Sequence, residues 1–276
     1  MNLKDAYLRV TAETDEQFEA SLEKADLVYI DAAFFAPEAY EAAVRKAHEA
    51  GKLCGLRLPY IWRNRAEEYF DRCKAKLKAA GFDIYLFRNT ESLLYFAENG
   101  LLSETAFAAD SSIYTFNNEA VAELTELVPE GSRERFTGFA MPLELNQREL
   151  ERLGAEVSVS GLARELTVYG RAHMMVSAQC INKTVTGCDR KEKLLMLKDR
   201  KQAEMPVKNC CRFCFNQIYN SVPTVLFDMC DVLKRIPHDC VRYDFTVERG
   251  KEVQRILDGR LPANGAYTRG HLKRGV

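Results

Sequence analysis

Short apolar runs alternate with segments whose apolar positions recur every three to four residues, from one end of the chain to the other. AYLRVTA (6–12) follows the period-two pattern of a strand, and DEQFEASLEKA (15–25) opens acidic and repeats as a helix, with Phe18 and Leu22 four apart. DLVYIDA reads as a buried strand, and PEAYEAAVRKAHEAG as a helix from Pro37 in its first turn to Gly51 as its stop. The cycle repeats through KLCGLRLPY, NRAEEYFDRCKAKLKAAG, FDIYLFRN and TESLLYFAENG, then TAFAADSSIY, NNEAVAELTELV, FTGFAMPLELN and NQRELERLG. ELTVYGRAHMMVS (165–177) is expected as the seventh strand and VRYDFT (241–246) as the eighth, before a last helix ERGKEVQRILDG.

Alternating strands and helices predict parallel pairing through helical crossovers, and eight strands close a barrel. The expected fold class is therefore α/β, a TIM-like (β/α)8 barrel with a cysteine-rich insertion between strands 7 and 8. The chain reads as a single domain, 1–276, with the insertion at about 178–238 and its own helical stretch NSVPTVLFDMCDVLKRI. Residues 263–276 form a basic, Gly-rich tail, either disordered or a strap that orders on binding. A doubly wound open sheet is the alternative, but no Gly-rich phosphate fingerprint follows the first strand.

Barrel enzymes carry their chemistry at the C-terminal strand ends. Those positions hold Asp31, Arg57 and Tyr60, Arg88 and Asn89, Asp110 and Ser112, Glu144 and Asn146, Arg171 and His173, and Asp244, Thr246 and Glu248. Asp31, Asn89 and Asn146 read equally well as helix caps. Arg57, Arg88, Arg171 and Arg242 lie in apolar contexts, where an unpaired guanidinium is costly, so they require carboxylates or an anionic ligand. Asp110, Glu144 and Asp244 are available to them.

Five of the nine cysteines lie between positions 180 and 214: Cys180, Cys188, Cys210, Cys211 and Cys214. Cys211-x-x-Cys214 places two sulfurs on one tight turn, and Cys180 with Cys188 can close a site from a second loop. Cys210 could replace Cys211. A thiolate-only set suits zinc or iron-sulfur. Buried structural thiols are the plainer reading, and disulfides rank lower, because the opening MNLKDAYLRV has no secretory pattern and a cytoplasmic location is expected.

With 39 basic and 40 acidic residues the chain has no global footprint for nucleic acid or membrane. The segment 183–212 is nonetheless rich in Lys and Arg, either a solvated face or a rim for an anionic substrate. No Gly-x-Ser-x-Gly or His-Glu-x-x-His occurs. Of four histidines only His173 falls at an expected strand end, as a hydrogen-bonded structural residue, an acid or base, or a ligand beside Cys180.

The runs ELTVYGRAHMMVSAQC, LKDRKQAEMPVKNCCRFCFNQIYNSVPTVL and VRYDFTVE and the ending YTRGHLKRGV resemble the collagenase-like peptidase family U-32. Glu165, Gly170 and Cys180 fit the family signature, while His173 stands where its first cysteine would be. The resemblance implies a barrel carrying a 4Fe-4S cluster, with Cys180 as the ligand matched by position; Cys188, Cys211 and Cys214 rest on the spacing here. It also implies oxygen-independent hydroxylation of an RNA base or similar planar substrate, with prephenate among the small anionic donors and a paralogous heterodimer among the assemblies. Under that reading Arg57, Arg88, Asp110, Arg171 and Arg242 bind substrate. The alternative is a peptidase acting on peptides, with Glu144, Asp244 and His173 catalytic and a bound metal activating water.

Overall fold

A computed structural model describes residues 2–157, 161–185 and 187–274. The elements follow as β1 (Leu8–Ala12), α1 (Asp15–Ser21), β2 (Leu27–Asp31), α2 (Pro37–Glu49), β3 (Leu53–Arg57), α3 (Asn64–Ala80), β4 (Ile84–Phe87) and α4 (Thr90–Glu98). Next come β5 (Ala106–Ala109), α5 (Asn118–Leu127), β6 (Phe136–Ala140), α6 (Gln147–Glu156) and β7 (Ala163–Gly170). The last barrel strand is β13 (Cys240–Asp244), followed by α9 (Gly250–Leu257). Strands β1 to β7 and β13 pair in parallel around a ring in the order β7-β13-β1-β2-β3-β4-β5-β6, closed by β6 against β7. This is the closed (β/α)8 barrel that the alternation predicts.

Local signals set the boundaries. Thr14 Oγ1 accepts from Gln17 N at the start of α1, and Asn89 Oδ1 accepts from Ser92 N at the start of α4. Asn146 and Glu149 form a capping box on α6. Asn89 and Asn146 are thus caps.

Side chains alternate along each strand, so one set points into the barrel and the other toward the helices. The helix side buries the main apolar cluster, including Val10, Ile30, Leu56, Phe87, Phe107 and Val168. The inner set changes character along the axis. Low in the barrel lie Leu27, Tyr29, Leu53, Ile84, Leu86 and Ala108. Gly55 is required there, because a Cβ would stand 2.4 Å from the Tyr29 ring. Continuing the same columns upward, the next inward residues are Asp31, Arg57, Arg88 and Asp110, so the apolar floor gives way to a charged mouth.

Two expectations need correction. The run 165–177 is not one strand: β7 ends at Gly170, and β8 (His173–Ser177) belongs to a second sheet. Gly170 sits at φ 153°, with room for no Cβ beside Asp244 Cβ at 2.7 Å, and the chain turns off the barrel there. Arg171 therefore follows β7 and His173 opens β8, so the insertion leaves the barrel before residue 178. The stretch around NSVPTVLFDMCDVLKRI is mostly not helical. Pro223 removes a donor, and the chain instead pairs as β12 (Thr224–Val225) against the end of β7, with Leu226 N bonded to Val168 O at 2.7 Å. Only α8 (Cys230–Leu233) is helical in it.

The rest of the insertion is a small antiparallel sheet, in the order β8-β11-β10-β9, built with β9 (Leu194–Lys198), β10 (Glu204–Cys210) and β11 (Phe215–Tyr219). A short helix, α7 (Ile181–Val185), lies in the loop between β8 and β9. The tail is a strap on the barrel itself. Thr268 bridges Thr224, Arg269 Nη2 donates to Asp228 Oδ2 at 2.9 Å, Gln147 N donates to Leu272 O at 2.9 Å, and Leu272 is buried. Among the described residues no helix is long and apolar enough to cross a membrane.

Candidate functional site

The charged mouth is a continuous buried network. Arg57 spans Glu13 (2.9 Å), Asp31 (2.9 Å) and Asp244 (3.2 Å). Arg88 reaches Asp31 at 2.5 Å and Asp110 at 3.4 Å. Arg242 joins Asp110 at 2.6 Å, Glu165 at 2.7 Å and Asp244 at 3.4 Å, and Arg9 reaches Glu165 at 3.1 Å. With Lys208 on Glu13 at 2.6 Å, five cations (Arg9, Arg57, Arg88, Arg242, Lys208) face five carboxylates (Glu13, Asp31, Asp110, Glu165, Asp244). Burial alone would raise the Asp31 and Asp110 carboxyls, but the guanidinium groups around them hold both below the usual range. Arg57, Arg88 and Arg242 are each paired with two or more protein carboxylates and shut off from solvent, which gives them a structural role in holding the mouth together. Arg171 meets Glu248 at 3.4 Å and the carbonyl of Asn220 at 2.9 Å.

The inserted sheet caps this mouth. Lys208, Cys210, Gln217 and Tyr219 share its inner face by strand alternation. Tyr219 Oη donates to Glu13 at 3.1 Å, and Arg212 Nη1 bonds the carbonyls of Ala32 and Phe35 at 2.6 Å each. Cys210 is fully buried there and takes a hydrogen bond from Gln217 Nε2 at 3.1 Å; burial pushes its thiol far up.

Cys180 and Cys211 lie outside this inner face. Asn209, on the far face, approaches Cys180 Sγ with its Nδ2 at 3.7 Å, and Lys183 N approaches the same sulfur at 3.5 Å. Burial raises the Cys211 thiol, and Glu192, Cys180 and Cys188 raise it further, so these three sulfurs are electrostatic neighbours. Cys211 and Cys214 flank the hairpin turn between β10 and β11, where Cys214 adopts φ 59°. The donor chemistry of Cys180, Cys188 and Cys211 fits a thiolate-bound group, and Cys210 is separated from it by the sheet. Among the described residues no three His, Cys, Asp or Glu side chains are drawn close enough to hold a single metal ion.

Two cavities flank the cap. The first, about 420 Å³, lies between the loops after β5 and β6 and the C-terminal strap. Glu144 and His173 line it, and a small adjoining recess adds Asp110, Arg171 and Asp244. His173 packs between the rings of Tyr60 and Tyr219, at 5.0 and 4.8 Å, and shares a hydrogen bond with Gln217 Oε1 at 2.8 Å. Desolvation, with Arg88 and Arg57 nearby, lowers its pKa to about 4, so the imidazole is neutral at pH 7. The second cavity, about 500 Å³, lies on the β1–β2 side and is lined by Glu13, Phe34, Glu192, Lys193, Lys208 and Asn209. It borders the cysteine group through Asn209, while Lys208 lies 4.9 Å over the Phe34 ring.

The structure thus brings Glu144, His173 and Asp244 to one side of the cap and Cys180, Cys188 and Cys211 to the other. Glu13, Lys208 and Thr167 were missed as site residues. Glu13 was legible, since Arg9, Thr11 and Glu13 form one inward column at period two. Lys208 was hidden within a charge-rich segment.

The fold and site define a (β/α)8 barrel whose C-terminal mouth is capped by an inserted antiparallel sheet. No family model and no curated protein matches the sequence. Among solved structures, the U32 peptidase Mk0906 superposes with a TM-score of 0.52 at 9% identity, covering 88% of this chain and 94% of that one. The chain therefore has the fold of that U32 peptidase, the relationship its motifs lead one to expect. A muconate lactonizing enzyme from Pseudomonas fluorescens, complexed with muconolactone, matches at a TM-score of 0.38 and 14% identity, over 59% of this chain and 44% of that one. A glycerol uptake operon antiterminator-related protein from Thermotoga maritima matches at 0.37 and 9%, over 59% and 82%.

Proposed function

We propose that this chain is a U-32-type barrel enzyme carrying an iron-sulfur cluster on Cys180, Cys188 and Cys211, with Cys214 completing the set, and acting in oxygen-independent hydroxylation of an RNA base or similar planar substrate. One observation carries the reading: three thiols are electrostatic neighbours beside a cleft that reaches the barrel mouth. Two N–H groups directed at Cys180 Sγ are of the kind that supports a cluster ligand's sulfur. Bound there, the cluster would supply one-electron chemistry. The chain's own residues form the cleft beside it: Lys193, paired with Asp189, and Lys208, paired with Glu13, line it near Phe34, and Glu13 anchors the cap through Lys208 and Tyr219.

A peptidase is the second reading, favoured by the convergence of Glu144, His173 and Asp244 on one side of the cap. It is weaker, because Arg57 and Arg242 neutralise Asp244, and His173 hydrogen-bonds to Gln217. Comparing RNA from cells with the gene intact, deleted, or carrying Cys180→Ala tests the first reading. A hydroxylated nucleoside lost in both altered strains supports it. Unchanged RNA together with gelatin cleavage by purified protein that stops in Glu144→Gln would transfer the assignment to the peptidase.

A further inference from the structure

We propose that the cavity under the C-terminal strap is a binding site for a small organic cation, an apolar body ending in one ammonium or amidinium group, with Glu144 as its charged anchor. The proposal uses none of the cysteines, so it stands apart from the function proposed above. Met141, Leu145, Leu150, Leu166, Leu226 and Leu272 line the cavity with apolar surface sized for a small molecule. Among the described residues its charged groups are satisfied with one exception. Arg269 is held by Asp228 and, in the adjoining recess, Arg171 by Glu248. In the adjoining recess Asp110 is bound by Arg242 and Asp244 by Arg57. His173 is neutral and bonded to Gln217, and His271 on the strap is engaged as well. Glu144, half-buried in the turn after β6, makes no hydrogen bond or ion pair with any described residue.

A carboxylate partly desolvated by apolar walls gains most from a cation that donates hydrogen bonds to it, and it repels an anion. Thr167 points independently to a polar ligand group in the same cavity. Thr167 lines the cavity at 5% exposure, and its hydroxyl has no hydrogen-bond partner among the described residues, so it can accept an N–H from a bound ligand. An anionic ligand would instead meet the Glu144 carboxylate, with Arg269 and Arg171 already paired with Asp228 and Glu248.

Calorimetric titration of the full chain with hexylammonium, hexanol and hexanoate tests this. Hexylammonium should bind about tenfold or more tighter than hexanoate, with hexanol between them. Glu144→Gln should bring hexylammonium to within about twofold of hexanol, and Thr167→Val should weaken it several-fold. Near-ultraviolet circular dichroism checks that both variants remain folded. Acetyl-lysine methylamide distinguishes sources of the same chemistry: tighter binding than hexylammonium assigns the site to a peptidyl lysine, weaker binding to a free amine. Cys180→Ala should leave hexylammonium binding unchanged, which separates failure of the cluster reading from failure of this one. Hexanoate binding as tightly as hexylammonium, an unaltered affinity in Glu144→Gln, or no saturable binding of any cation would overturn the proposal.

Discussion

A single guanidinium, Arg57, ties three carboxylates from different strand ends into the barrel mouth, and it is 1% exposed. Removing it leaves five carboxylates facing four cations in the mouth, with Glu13 held by Lys208 and Asp31 by Arg88 as their remaining cations. Arg57→Leu should therefore destabilise the fold by about 3–5 kcal/mol, far more than a surface pair would, as read by urea denaturation. His173 makes a second prediction. Its folded pKa lies near 4, against the ordinary 6.5, so the unfolded chain takes up the proton first as pH falls. Stability should be full above about pH 6.5 and decline toward pH 4, and His173→Gln should flatten that part of the profile. The carboxyls of Asp31 and Asp110 are shifted below 3.8, so their contribution holds above that value and fails only in stronger acid. The sequence disclosed that Arg57, Arg88 and Arg242 needed carboxylates. It did not disclose that five carboxylates would face them together with Arg9 and Lys208, since Glu13 lay just beyond the apolar run of β1 and Glu165 at the start of that of β7.

Among the elements, the turn from β7 into the cap depends on Gly170. A side chain there would meet both a strained φ and Asp244 Cβ at 2.7 Å. Gly170→Ala should cost about 1–3 kcal/mol and disturb the cap before the barrel, visible as faster hydrogen exchange in β8 and β11 than in β2 and β3. This turn also shows why the run 165–177 misled. Its apolar positions continue across the break, yet one half pairs with β13 and the other with β11, and periodicity cannot report a change of partner. The helical expectation for 220–236 failed similarly, because backbone pairing to the end of β7 overrode local pattern. The strap was legible as something outside the barrel. Its anchoring was not, because Thr268 and Leu272 find their partners only once β12 and α6 are in place.

Across the whole molecule, eight alternations were enough to specify a closed barrel, since parallel strands with helical crossovers leave few other arrangements. Sequence spacing also singled out the cysteines, but it could not separate Cys210 from Cys211. Strand alternation does, burying Cys210 against the mouth and leaving Cys211 with Cys180 and Cys188. The resulting molecule has two clefts on opposite flanks of one cap, with thiols beside one and, in the other, a carboxylate unpaired among the described residues. The central claim is that the thiols hold a cluster. Anaerobic purification, followed by the visible spectrum and iron and sulfide content, tests it in the parent chain and in single Ala variants of Cys180, Cys188, Cys210, Cys211 and Cys214. The account predicts a brown protein with about four irons per chain, retained in Cys210→Ala and lost in the other four. Colourless protein holding zinc or no metal, or iron lost only in Cys210→Ala, would contradict it.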